Sequence, residues 1–243
     1  MSASFEELDY QPTPMGAISL RRRRDLSRGI DVYEIKLGDE LLMSSLFTTA
    51  EIELARLGLA ALPGNDLEVV VGGLGLGYTA QAVLADSRVS SLVVVEALPA
   101  VIDWHERQLL PLGAALTADV RCRFVCGDFF AMLASPAQGL DPTSAGRRFD
   151  AVLVDIDHSP RNVLHASHAP FYSPHGLRRL AEHLKPGGVF GLWSNDAPDD
   201  AFRAALAEVF ATTDARVITF RNARQDGDST ATIYLARHAR GRD

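Results

Sequence analysis

Eleven residues, Leu67 to Gly77 (LEVVVGGLGLG), restrict what this chain can fold into more than any other stretch. Leu67 to Val71 is apolar apart from Glu68 and contains three β-branched valines. That run is too short for a helix and rich in strand formers, so it predicts a buried strand. Four glycines then fall within six residues (Gly72, Gly73, Gly75, Gly77), and Tyr78 to Ala85 follows with helix-forming composition. Strand, glycine turn and helix together form the opening unit of a nucleotide-binding α/β sheet. Missing side chains let backbone approach a ligand, and the helix N-terminus presents free N–H groups.

G-x-G-x-G alone is a weak signal, because glycines also gather in ordinary turns. A second strand, Ser91 to Val95, ends in Glu96, nineteen residues after Gly77. A carboxylate at that point can accept hydrogen bonds from both hydroxyls of a ribose. The glycine turn and the acidic strand end therefore predict nucleoside binding.

At 243 residues the chain can bury a full core, and one α/β domain with a small extension is expected. No apolar run approaches the roughly 20 residues that span a bilayer, and MSASFEELDY lacks an apolar signal core. Cytoplasmic localisation is the expectation. A net charge of −7 argues against a general nucleic-acid binder. Cys122 and Cys126 lie four apart on one expected strand, too far for a bridge without distortion, and read as reduced core or near-core residues.

Residues 1–16 read as an irregular lead-in, with Pro12 and Pro14 opposing regular structure. Ala17–Leu20, Ile30–Leu37 and Glu40–Met43 fit antiparallel strands, the last two joined by a turn at Gly38-Asp39. Arg21 to Arg24 suggests an anion site, but a hairpin end in an acidic protein favours a solvated strand end or a subunit contact. Thr48 to Glu51 reads as a capping box opening a helix to about Leu62, before Pro63-Gly64. The expected domains are a β-region over 1–47 and a Rossmann-like adenosyl-cofactor-binding domain over 48–243.

Beyond Gly77 the α/β alternation is regular. Pro99 opens a helix continuing to Leu109, and Arg121–Val125 is the third strand, followed by Gly127-Asp128. Ser135–Arg148 reads as loop and Phe149–Val154 as the fourth strand, ending in Asp155. Ser173-Pro174 caps a helix reaching Leu184, stopped by Lys185-Pro186-Gly187-Gly188. Val189–Trp193 is a fifth strand, a helix spans Pro198–Phe210, and Ala215–Phe220 and Thr230–Ala236 bring the count to seven. A hairpin around Asp226-Gly227-Asp228 makes one of the last two antiparallel to the rest.

Ligands of a parallel α/β sheet bind at the carboxyl ends of its strands. Those ends carry Gly72, Gly73, Gly75 and Gly77, then Glu96, Asp128, Asp155 with Asp157, and Asn195-Asp196, with no lysine or arginine. This suits a positively charged nucleoside such as S-adenosylmethionine or its decarboxylated form, not an anionic dinucleotide. Asp128 is placed for the adenine amino group. Asp155 is the first candidate to orient an attacking amine and take its proton, with Asp157 second.

The segments VVVGGLGLG, VVVEALPAVI, VCGDFFAML, FDAVLVDIDHSP and FYSPHGLRRLAEHLKPGGVF resemble the polyamine aminopropyltransferase (spermidine synthase) family, within the class I S-adenosylmethionine-dependent methyltransferase superfamily. The resemblance covers roughly residues 67–193. It implies a seven-stranded Rossmann-like sheet with a small N-terminal antiparallel β-region. It also implies cofactor binding by Gly73, Gly75, Glu96 and Asp128, an acidic catalytic position at Asp155, and by analogy a homodimer.

Departures from that pattern concern the acceptor. The family's second acidic residue falls on His158, and the often acidic position two after Glu96 is Leu98. The signatures lining a polyamine channel are not found in LLMSSLFTTAEIELARLGL. Asp157 to His175 instead holds His158, His165, His168, His175 and Arg161, in a spacing that matches no standard metal site. A histidine there could act as general base, or Arg161 could bind an anion. Trp104 and Trp193 read as packing residues. Three readings stay open: an aminopropyltransferase-like enzyme acting on a small acceptor such as a polyamine, a small-molecule methyltransferase, and a non-catalytic nucleoside-binding homologue.

Overall fold

The computed structural model describes residues 5–135, 139–222 and 227–239. The expected apolar run becomes β5 (Leu67–Gly72), an inner strand of a seven-stranded sheet. Around it lie β6 (Val89–Glu96), β7 (Cys122–Cys126), β8 (Phe149–Val154), β9 (Leu184–Ser194), β10 (Thr212–Arg221) and β11 (Asp228–Arg237). Their order is β10-β11-β9-β8-β5-β6-β7. β5 to β9 run parallel, and β11 is antiparallel to both its neighbours. The turn between β10 and β11 falls partly on residues 223–226, outside the described residues. Successive crossovers leave β5 first toward β6 and β7, then toward β8. The ends of β5 and β8 thus flank the point where the winding reverses, where such sheets bind ligands.

Both faces of the sheet are covered, which explains the unbroken valine runs. Val69, Val71, Leu92 and Val94 face a core shared with α1 (Thr49–Ala60), α2 (Tyr78–Leu84) and α3 (Pro99–Glu106). Val70, Val93 and Val95 face a second core with α5 (Phe129–Ala134), α6 (Pro174–Glu182) and α7 (Asp200–Ala207). A short α4 (Gly113–Ala118) follows α3, which stops before Leu109 because Gln108 turns into the left-handed region. Gly58 lets α1 lie close on the sheet, since a Cβ there would stand 2.7 Å from Leu153 Cδ2.

The N-terminal part is more regular than its prolines suggest. β1 (Phe5–Thr13), β2 (Gly16–Asp25), β3 (Ile30–Leu37) and β4 (Glu40–Ser44) form an antiparallel sheet in that order. The irregular lead-in is corrected to a strand over most of its length. Pro12 is tolerated because β1 is an edge strand, where a missing N–H breaks no inner ladder. Ile18, Leu20 and Ile35 join the core beneath α1, and Trp104 Nε1 donates to Asp9 at 2.6 Å. The arginine run is a partly exposed stretch of β2 whose charges are paired. Arg21, Arg22, Arg23 and Arg24 pair across the strands with Glu7, Glu6, Glu34 and Asp31.

Two further expectations are corrected. The α6 helix ends at Glu182, and Lys185-Pro186-Gly187-Gly188 lies within β9 as an irregularity opposite β8, with Gly187 at φ 77°. Cys126 is exposed at the end of the edge strand β7, whereas Cys122 is half-buried with its thiol pushed up to about 12, mainly by burial. Among the described residues, no helix is long and apolar enough to cross a membrane.

Candidate active site

A cavity of about 300 Å³ opens at the carboxyl ends of β5, β6, β7 and β8. Met15, Ile35, Leu42 and Met43 from the N-terminal sheet form an apolar roof over it. Its floor is the glycine turn. Gly73 adopts φ 94°, and a Cβ there would stand 2.1 Å from the Asp155 carbonyl oxygen. Only glycine permits this contact, by which β5 and β8 are stitched at the switch point: Asp155 N–H donates to Gly72 O at 2.8 Å. Gly77, at φ 91°, is the N-cap of α2. His105 is fully buried beneath the turn and donates from Nε2 to Gly75 O at 2.9 Å. Burial lowers its pKa, the Gly75 carbonyl opposing, and the ring pins the loop.

Glu96 is buried at the end of β6 and lines the cavity. Leu74 N–H donates to Oε2 at 2.9 Å and Leu98 N–H to Oε1 at 2.8 Å. Burial raises its pKa, while amides of the glycine turn and of its own turn oppose the rise. Each oxygen keeps lone pairs for a further donor, so the carboxylate is both anchor of the glycine turn and acceptor toward the cavity. Asp128 also lines the cavity and caps α5, with Oδ1 accepting from Phe130 N–H at 2.9 Å and Ala131 N–H at 3.1 Å.

Asp155 keeps some exposure as a residue, but its carboxyl group is enclosed at the cavity floor. Thr79 donates to its Oδ2 at 2.7 Å. Next to it is Glu51, 8% exposed, which sequence reasoning placed in a capping box. Thr48 makes no side-chain cap, and Glu51 turns into the cavity instead. Burial first, then the nearby Asp155 charge, push Glu51 upward in pKa. Burial raises Asp155 too, against the Thr79 hydrogen bond. The available signal was helical spacing: Glu51 falls three and four residues before the buried Leu54 and Ala55, on the apolar stripe of α1.

The segment after Asp155 divides its residues between cavity and scaffold. Asp157 is buried and does not line the cavity. It accepts from Leu164 N–H at 2.7 Å, His168 Nδ1 at 2.8 Å and Tyr172 OH at 2.8 Å. That pins the 3-10 helix Ala166–Tyr172, which the sequence did not predict. His158, His165 and His168 line the cavity, with His158 Nε2 2.8 Å from Glu40 Oε1 of the roof sheet. His175 stands apart on α6 beside Arg179. Arg161 pairs with Asp199 at a separate shallow depression that also holds Asp196. Trp104 is core, whereas Trp193 lines the cavity as well as packing.

The cavity therefore gathers four carboxylates, Glu51, Glu96, Asp128 and Asp155, with no lysine or arginine among the described residues of its lining. No protein-family model matches the chain. Among solved structures, a spermidine synthase in complex with the transition-state analogue AdoDATO aligns with 97% of this chain and 74% of its own, at TM-score 0.72 and 17% identity. The spermidine synthase from Thermotoga maritima aligns over the same shares at TM-score 0.71 and 17% identity. Human methyltransferase-like protein 13 in complex with SAH aligns over 79% of this chain and 78% of its own, at TM-score 0.51 and 21% identity. In fold, from the N-terminal sheet through the antiparallel seventh strand, this chain is similar to spermidine synthases and, more distantly, to a methyltransferase-like protein.

Proposed function

We propose that the cavity binds an adenosyl sulfonium, S-adenosylmethionine or its decarboxylated form, and that the protein transfers a carbon group from it to a small acceptor. The observation carrying this reading is the lining: four carboxylates around a glycine turn and, among the described residues, no lysine or arginine. Opposite charges in a partly desolvated site attract by several kcal/mol, on the order of 4 at 4 Å for an effective dielectric of 20. The residues fit such a ligand. Gly75 leaves room over the turn, where only Met43 Sδ, at 3.0 Å, would meet a Cβ. Glu96 has lone pairs for ribose hydroxyls, and Asp128 has an oxygen left for an adenine amino group.

A bound sulfonium supplies an activated carbon whose leaving group is a neutral thioether. The chain's own part is to align the acceptor and remove its proton. Asp155, held by Thr79 beside Glu51, would orient the cationic tail and the incoming amine. The Glu51–Asp155 pairing favours the decarboxylated form, because a tail carboxylate would find no lysine or arginine among the described lining residues to pair with. The similarity in fold to a methyltransferase-like protein supports methyl transfer as the second reading.

Titration calorimetry with S-adenosylmethionine, its decarboxylated form and methylthioadenosine tests the proposal. Tighter binding of the decarboxylated form supports transfer of the aminopropyl group, and tighter binding of the carboxylated form supports methyl transfer. Absence of heat with all three would overturn the assignment and leave a non-catalytic homologue.

A further inference from the structure

On the wall facing the carboxylate floor, the chain builds a second device that the proposed function does not by itself require. His168 is 7% exposed yet lines the cavity. Its Nδ1 lies 2.8 Å from Asp157 Oδ1, and a carboxylate can only accept there, so Nδ1 carries the hydrogen. One face of the ring is stacked on Phe130, with centroids 4.1 Å apart and planes 30° apart. Phe171 packs edge-on behind Phe130 at 5.1 Å, so the support is itself fixed. Tyr172 and Leu164 N–H hold Asp157 in turn. A ring bound at Nδ1 and braced by a fixed aromatic has a set orientation, with Nε2 as its lone-pair nitrogen. No hydrogen bond from the described residues occupies Nε2.

Though largely buried, the ring is part of the cavity wall, with Leu164, Ile156 and Phe130. We propose that His168, aligned by Asp157, is the base that takes the proton from the acceptor nucleophile, and that the acceptor is an amine with an apolar body. The proposal rests on the adenosyl-sulfonium reading above. Nε2 of His168 takes an N–H proton, and the freed nitrogen lone pair forms the N–C bond. The C–S bond breaks with its electron pair going to sulfur, which leaves as a neutral thioether. The positive charge lost at sulfur reappears on the imidazolium, next to the Asp157 carboxylate. Asp157 is a positioning residue: it fixes the tautomer and balances the charge. The acceptor class follows from the wall, where Phe130, Ile156 and Leu164 offer contact to an alkyl or aryl body.

The test combines donor binding, turnover and ring spectroscopy. 2-Phenylethylamine and 1,4-diaminobutane serve as acceptors with each adenosyl sulfonium, and thioether release is measured. In His168→Gln, kcat should fall by about 100-fold or more, the usual weight of a general base, while donor Kd stays within about threefold. Asp157→Asn should lower kcat without raising KM. Independently of turnover, nitrogen-15 spectra of the wild-type ring should show Nδ1–H with a bare Nε2. Adding 2-phenylethylamine to the methylthioadenosine complex should shift the Nε2 signal. The proposal is overturned if His168→Gln keeps kcat within threefold, or if Nε2 is indifferent to the amine while the nucleoside is bound. It is also overturned if diaminobutane outruns the apolar amine. A protein that binds no nucleoside fails the earlier reading instead, so the two failures are distinguishable.

Discussion

Glu51 of α1 and Asp155 at the end of β8 meet at the floor of one cavity, two buried carboxyl groups whose charges oppose each other. Burial raises both above the usual carboxylate range, about 4 for the free side chains, and the Asp155 charge adds to the rise at Glu51. The folded protein therefore binds these protons more tightly than the unfolded chain. Stability from the pair is complete below the unfolded values and is lost as pH rises through the raised folded ones. The ligand-free protein should melt several degrees lower at pH 8 than at pH 5. In Glu51→Gln that slope should flatten, as read by thermal denaturation across the range. An unchanged slope would show that the pair does not carry it.

Asp155→Asn should abolish turnover with cofactor affinity within about fivefold, since Glu96 and the glycine turn still hold the nucleoside. The same change removes the charge beside Glu51 and should lower that group's pKa. Full activity in the variant would take Asp155 out of the chemistry.

Glu96 serves two masters, the amides of Leu74 and Leu98 and a ribose. Glu96→Ala leaves buried N–H groups of the turn unpaired and removes the ribose acceptor. Nucleoside binding should weaken by roughly 1–3 kcal/mol, the cost of such unpaired groups. Calorimetry on a variant confirmed as folded would measure it, and an unchanged affinity would place the ribose elsewhere.

Gly73→Ala asks more of the fold than of the ligand. At φ 94° and 2.1 Å from Asp155 O, a methyl group must separate β5 from β8. A loss of about 3 kcal/mol or more in stability is expected, in the range of severe backbone and packing changes. Denaturant unfolding with a wild-type midpoint would contradict the tight stitching of the switch point.

The main sheet was legible because its inner strands are buried on both faces and punctuated by glycine and proline. Valine runs such as Val69–Val71 and Val93–Val95 leave little choice of structure. Legibility failed where tertiary contacts overrule local rules. Pro12 argued against a strand, yet an edge position asks nothing of its missing N–H. Thr48 and Glu51 had the spacing of a capping box, but Glu51 lies on the buried stripe of α1 and turns into the cavity. Asp155 and Asp157 are two residues apart and the sequence offers both, in that order; the structure sends Asp155 to the cavity and Asp157 under the 3-10 helix. His105 gave a lone histidine on an apolar helix face, which in sequence cannot be told from simple packing.

At the opposite edge of the sheet, away from the cavity, Arg147 holds the amino ends of the strands together. It pairs with Asp141 at 2.8 Å and Glu68 at 2.5 Å, and Lys185 adds contacts to Glu68 and Asp150. Asp141 is 1% exposed. Burial would raise its pKa, but Thr143, Arg147 and Arg123 more than compensate and hold it below the usual carboxylate range. Arg147→Met removes one of the two cations paired with that buried charge, Arg123 remaining at 2.6 Å, and should cost about 1.5–3 kcal/mol, the usual worth of a hydrogen bond to a charged group. Because Asp141 is depressed in the folded state, its contribution is present above the unfolded carboxylate value and lost as pH falls. The Arg147→Met deficit should therefore be largest near neutral pH and shrink toward pH 3. Nucleoside affinity of the folded fraction should match wild type, since no residue of this network lines the cavity. A variant that lost binding but kept its stability would mean that the two edges of the sheet are coupled.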